Sequence, residues 1–159
     1  MNQRMLMNIL WMAFFFSVVM YHALIVSNAV PPEGAPMASA AMLGYILLFL
    51  GIFQLLVIVN LDLFLIGRPR KLRVGADILQ GREVPEDPAQ FAQAAKAAYI
   101  LRMFIVLSAL AEAAGLYGLV LYMVGGPVGY AHALMGIAYA SLIYIWLRMH
   151  YRWEAMYLE

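Results

Sequence analysis

Four long apolar runs constrain this chain more than any other feature of its sequence. They cover residues 6–28, 37–66, 97–124 and 128–148. A helix needs about 20 residues to cross the hydrocarbon core of a bilayer, and each run is long enough. The runs are continuous and do not alternate polar with apolar residues, which indicates helices and not the strands of a barrel. The sequence therefore predicts an all-α fold, a bundle of four transmembrane helices.

The composition agrees with this fold class. Hydrophobic residues make up 65% of the 159 residues and charged residues 12%, whereas soluble domains carry about 25% charged residues. We therefore expect a single integral membrane domain over residues 1–159 that contacts lipid. The net charge of +1 gives no reason to expect nucleic acid as a partner. The chain has no cysteine, no metal-binding motif and no phosphate-binding glycine loop, so we do not expect an enzyme.

The connections between the runs differ in kind. Proline and glycine in residues 31–36 interrupt the chain after the first run, and residues 125–127 (Gly-Gly-Pro) form a very short turn that predicts antiparallel third and fourth helices. Residues 67–93 are the only long polar stretch, and we expect an amphipathic segment at the membrane surface there. Within it, Asp87 followed by Pro88 predicts the start of the third helix.

The positions of lysine and arginine predict the orientation in the membrane. These residues occur at the amino end (Arg4), in or beside the segment 67–93, and at the carboxyl end (Arg148 and Arg152). The other two connections contain none. Because positive charge is retained on the cytoplasmic side, we expect both termini and the central segment to be cytoplasmic. The expected location is a bacterial or archaeal cytoplasmic (inner) membrane.

Glu112 is the residue that most needs an explanation, because it lies near the middle of the third apolar run. A charged carboxylate at the bilayer centre costs about 2.5–3.5 kcal/mol on insertion scales. Burial favours the neutral form of a carboxyl group, so Glu112 could bind and release a proton. Alternatively, it is a structural hydrogen-bonding group between helices. Gln54 lies near the middle of the second run, and an amide at that depth could hydrogen-bond with Glu112.

Small residues surround Glu112 at helical spacing. Ala111 and Gly115 are four residues apart, as are Ala114 and Gly118. This spacing allows helix backbones to approach closely in lipid. We expect these residues to pack against another helix, either within the chain or in a homo-oligomer.

Residues 87–124, and especially the sequence Ala-Glu-Ala-Ala-Gly-Leu-Tyr-Gly-Leu-Val at 111–120, resemble the second helix of the rotary ATPase proteolipid, the ring-forming c subunit. The resemblance implies that Glu112 binds the transported ion and that Tyr117 and Gln54 complete its hydrogen-bond network. Ala113 stands where sodium-binding members have a hydroxyl group, which favours protons. It also implies a homo-oligomer, or a subunit of a larger membrane complex.

Two other polar pairs allow different interpretations. Asp62 and Arg102 each lie about one turn inside the cytoplasmic end of their helices and could form an ion pair. His22 and His132 lie at similar depths near the outer ends of the first and fourth helices, and two such imidazoles could ligate one haem.

Three functions therefore remain open from the sequence. The first is a proton-binding membrane protein similar to the proteolipids, which needs no cofactor. The second is a non-catalytic small membrane subunit or assembly factor in which Glu112 is structural. The third is a bis-histidine haem b membrane protein.

Overall fold

The computed structural model describes residues 3–27, 38–61 and 88–158, and these ranges contain four helices and no strand. We label them α1 (Gln3–Val26), α2 (Ala38–Leu61), α3 (Pro88–Met123) and α4 (Val128–Leu158). Each is long and apolar enough to cross a membrane. The all-helical fold with four helices of membrane-spanning length is therefore confirmed, and it fits an integral membrane bundle.

The helix ends follow local chemistry. α3 begins at Pro88, where the missing proline N–H leaves no hydrogen bond unmade. α4 continues ten residues beyond the expected end at Arg148 and reaches Leu158. Most of the predicted surface segment 67–93 lies outside the described residues, and its last six residues form the first turns of α3.

A tight turn joins α3 to α4. Gly125 has a φ of 72°, a left-handed conformation that glycine adopts without steric cost. Its N–H donates to the Tyr122 carbonyl at 3.0 Å, and the Gly126 N–H donates to the Leu121 carbonyl at 2.9 Å. These two bonds are those of a Schellman motif, which satisfies carbonyl groups at the end of α3. α4 then begins after Pro127 and runs antiparallel to α3.

The α3–α4 hairpin forms the centre of the bundle. α1 and α2 both pack against α3 and α4, and in the described residues they scarcely contact each other. Most of the fully buried side chains belong to α3 and α4. The outer faces of α1 and α2 carry large exposed apolar side chains, such as Phe16 and Phe49, the second of which is 72% exposed. Helix faces that expose apolar side chains are suited to contact with the hydrocarbon of a lipid bilayer.

Glycines allow the close contacts of the hairpin. A Cβ atom built on Gly118 would lie 2.8 Å from the carbonyl oxygen of Ala131, and one built on Gly115 would lie 3.3 Å from Val18 of α1 and 3.5 Å from Ala138 of α4. A Cβ atom built on Gly51 of α2 would lie 2.7 Å from the flexible end of the Leu134 side chain of α4. The small residues around Glu112 therefore serve packing within this chain.

We expect Gly118→Ala to lower the free energy of unfolding by about 1–3 kcal/mol, because the new methyl group meets a backbone oxygen that cannot move away alone. Gly136→Ala is the matched control on α4, since nothing lies within 4 Å of its Cβ position. It should be neutral or stabilising by up to about 1 kcal/mol through helix propensity. Reversible unfolding of both variants in the same detergent measures the difference, and equal effects would contradict the packing described.

Candidate functional site

Glu112 lies inside the apolar span of α3 and is half-buried. At about 1.5 Å per residue it is roughly 24 Å along the helix from Lys96 and roughly 17 Å from Met123. Within the described ranges, the other Asp, Glu, Lys and Arg side chains lie toward one end of the bundle, where α1 and α3 begin and α4 ends. Glu112 is therefore separated from these charges by several helical turns of apolar sequence.

Tyr21 of α1 is the hydrogen-bond partner of Glu112. Its hydroxyl group donates to Glu112 Oε1 at 3.1 Å. α1 and α3 run parallel, and a long helical side chain points back toward the amino end of its helix. The phenol of Tyr21 therefore reaches down along α1 to the level of Glu112. The result is a side-chain bond between two helices inside the membrane-spanning region.

Gln54 contacts α3 at a different group from the one predicted. Its Nε2 donates to the main-chain carbonyl of Leu110, two residues before Glu112. Gln54 is 8% exposed, and its Oε1 is buried with no hydrogen-bond partner among the described residues. Gln54 therefore lies close to Glu112 in depth, but its bond joins α2 to the backbone of α3. A bond between Gln54 and Glu112 is not found within the described ranges.

Tyr117, the other predicted partner, is half-buried on α3. Five residues separate it from Glu112, which turns its side chain about 140° around the helix axis. No hydrogen bond joins it to Glu112 in the described structure, where Tyr21 supplies the hydroxyl group instead.

Sequence reasoning did not connect Tyr21 with Glu112. One signal was present: Tyr21 carries a hydroxyl group in the last third of a mostly apolar helix that runs in the same direction as α3. What was missing was the knowledge that α1 packs beside α3.

A second polar group lies between α1 and α4, at the end of the bundle where α1 ends and α4 begins. The rings of His22 and His132 have centroids 5.3 Å apart and meet edge to face at 62°. The Tyr139 hydroxyl lies 3.4 Å from His22 Nδ1 and 3.4 Å from the carbonyl oxygen of Val18. The two histidines, which the sequence places at similar depths, are therefore close together in the structure.

This arrangement does not fit a haem. Two axial histidines hold the iron from opposite faces of a flat macrocycle, which must pass between their rings. The rings of His22 and His132 are in direct contact and leave no space for a macrocycle between them. We therefore derive no function from haem.

The opposite end of the bundle carries exposed charge. Arg4 of α1 pairs with Glu154 of α4 at 3.4 Å, and His150 lies 3.1 Å from the same carboxylate. This places the amino end of α1 beside the carboxyl end of α4. Arg102 is exposed on α3. The predicted partner of Arg102, Asp62, lies outside the described residues.

The fold and the site together define a class: an all-helical protein with four helices of membrane-spanning length and a carboxyl group hydrogen-bonded between two of them. Comparison with protein families, curated proteins and solved structures gave no match to this chain.

Because Tyr21 and Glu112 are hydrogen-bonded, substitutions of these two residues should have non-additive effects on stability. In a double-mutant cycle of Tyr21→Phe and Glu112→Leu, which removes the acceptor, we expect a coupling of about 0.5–1.5 kcal/mol in the free energy of unfolding, in the range of hydrogen bonds between membrane helices. The matched cycle with Tyr117→Phe should give a coupling near zero. Unfolding in detergent or bicelles measures both. A larger coupling of Glu112 to Tyr117 than to Tyr21 would support Tyr117, the partner predicted from the sequence, and would contradict the bond to Tyr21.

Proposed function

We propose that this protein is a proton-binding integral membrane protein in which Glu112 is the proton-binding group. The observation that carries the proposal is the hydrogen bond from Tyr21 to Glu112 within the apolar spans of α1 and α3. Ionisable groups at such depth are functional candidates by default, because an unneeded carboxyl group there is energetically unfavourable.

Hydrogen-bond donors are scarce around Glu112. An ionised carboxylate has about four acceptor positions and is stabilised by several donors. The described residues supply a single side-chain donor, the Tyr21 hydroxyl. This hydroxyl can donate to the protonated or to the ionised carboxyl group, so the bond is compatible with a group that exchanges its proton.

The resemblance to the rotary ATPase proteolipids supports the same function. By that resemblance Glu112 would carry the proton that is transported, and Gln54 and Tyr117 would complete its hydrogen-bond network, whereas the donor found at Glu112 is Tyr21. A proton-carrying subunit of this kind would act in a homo-oligomer or a larger membrane complex. The partner would then supply the energy coupling.

A structural role for Glu112 is the second candidate, and the interhelical bonds favour it. Trp11 Nε1 donates to the Leu142 carbonyl at 3.1 Å, and Gln54 donates to the Leu110 carbonyl. The Tyr21–Glu112 bond could be one more member of this set. In that case the protein would be a non-catalytic membrane subunit or assembly factor, and Glu112 would not exchange its proton in the working range of pH.

We propose an orientation in the membrane from the positions of the lysine and arginine residues. All five described lysine and arginine residues lie at the end of the bundle where α3 begins and α4 ends, namely Arg4, Lys96, Arg102, Arg148 and Arg152. Retention of positive charge in the cytoplasm makes this the inner end. Both termini would then be cytoplasmic, in a bacterial or archaeal cytoplasmic membrane.

Carbodiimide labelling separates the two candidates, because these reagents attack a protonated carboxyl group in an apolar setting. We expect selective modification of Glu112, mapped by mass spectrometry, that decreases as pH rises and is absent in Glu112→Gln. Tyr21→Phe removes the hydrogen-bond donor to Glu112 and should change the pH dependence of labelling. Tyr117→Phe is the control and should follow the wild type. Absence of labelling at every pH in folded protein would favour the structural role.

The orientation is testable because the chain has no cysteine of its own. We expect Ser27→Cys, at the end of α1, to react with a membrane-impermeant maleimide in intact cells. Tyr151→Cys, on an exposed part of α4, should react only after the membrane is permeabilised. The opposite pattern would reverse the proposed orientation.

A further inference from the structure

The two histidines at the outer end of the bundle form a pair that the proton-binding function does not use. His22 lies on α1, is half-buried and is four residues from the end of that helix, while His132 lies four residues after the start of α4 and is exposed. Their rings come from two different helices and meet at a centroid distance of 5.3 Å. One imidazole is therefore held within the bundle and the other is open to the surroundings.

Tyr139 lies between the His22 ring and the backbone of α1. Its hydroxyl is 3.4 Å from the carbonyl oxygen of Val18, which can only accept a hydrogen bond, and 3.4 Å from His22 Nδ1. When the hydroxyl donates to the carbonyl, its oxygen can accept from Nδ1–H. In that tautomer of His22 the lone pair of Nε2 is available to a ligand.

We propose that His22 and His132 bind a divalent transition-metal ion, with Zn²⁺ as the representative, through Nε2 of His22 and a ring nitrogen of His132. Two imidazoles that hold one tetrahedral ion by Zn–N bonds of about 2.0–2.1 Å have ring centroids roughly 5 Å apart. The spacing of 5.3 Å fits this requirement. The same spacing excludes a macrocycle between the rings.

The contact between His22 Nδ1 and the Tyr139 hydroxyl is of the kind that supports metal-binding histidines. A ligating imidazole commonly donates its other N–H to an acceptor, which fixes its tautomer and its orientation. The described residues provide no third His, Cys, Asp or Glu ligand. Water at the exposed side of His132 completes the coordination, and the ion joins α1 to α4.

The test is Zn²⁺ binding to the full-length protein in detergent, without a polyhistidine tag, measured by equilibrium dialysis with metal quantification. We expect one Zn²⁺ per chain, and an affinity at least tenfold weaker in both His22→Gln and His132→Gln. His150→Gln is the matched control, because the third histidine of the chain lies at the opposite end of the bundle. It should leave the affinity unchanged.

Two further measurements distinguish a metal site from a structural effect. Electron paramagnetic resonance of bound Cu²⁺ should show coupling to two nitrogen nuclei in the wild type and to one in His132→Gln, whose side chain is exposed. Tyr139→Phe should weaken Zn²⁺ binding by about 10-fold, since it removes the acceptor for Nδ1. Absence of Zn²⁺ binding, or a loss caused by His150→Gln alone, would overturn the proposal.

Discussion

Close contact between the backbones of α3 and α4 is the constraint on which the rest of the structure depends. Apolar side chains gain little by leaving lipid for another hydrocarbon surface, so membrane helices associate through packing and interhelical hydrogen bonds. Gly118 allows this packing, since a Cβ there would lie 2.8 Å from the Ala131 carbonyl oxygen of α4, and Gly115 allows α1 to approach α3 through Val18. α1 and α2 both lie against this hairpin and scarcely against each other. Without the hairpin, both would lose the surface on which they pack.

Hydrogen bonds from side-chain donors then hold α1 and α2 against the α3–α4 hairpin. Trp11 reaches the Leu142 carbonyl and Gln54 reaches the Leu110 carbonyl. A helical carbonyl already accepts one bond and has a second lone pair, so such bonds can form without breaking the helix. The Tyr21–Glu112 bond differs in kind because its acceptor is an ionisable side chain. Its geometry and strength can therefore change with protonation, which bonds to main-chain carbonyls cannot do.

The sequence predicts the number and type of the helices because run length and polarity are properties of composition. Pro88 and Gly125 also act locally, which is why their positions mark a helix start and a helix end. The partners of Glu112 depend instead on which helices are neighbours and how each is rotated. Depth along the membrane placed Gln54 near Glu112, but rotation directs its amide to the Leu110 carbonyl. No local feature of the sequence predicts that α1 packs beside α3, so the sequence alone does not predict Tyr21 as the partner of Glu112.

The choice between a structural and a proton-binding role for Glu112 depends on what a carboxylic acid provides that an amide does not. A glutamine at position 112 would accept the same hydrogen bond from Tyr21 and would carry no charge into the membrane. Packing of α1 against the hairpin also has other support, from the Trp11 bond and from the contact of Val18 with Gly115. An acid is needed only if its proton is exchanged, since a permanently neutral hydrogen-bonding group is available without it. The presence of a carboxyl group where an amide would serve equally well in packing therefore favours proton binding.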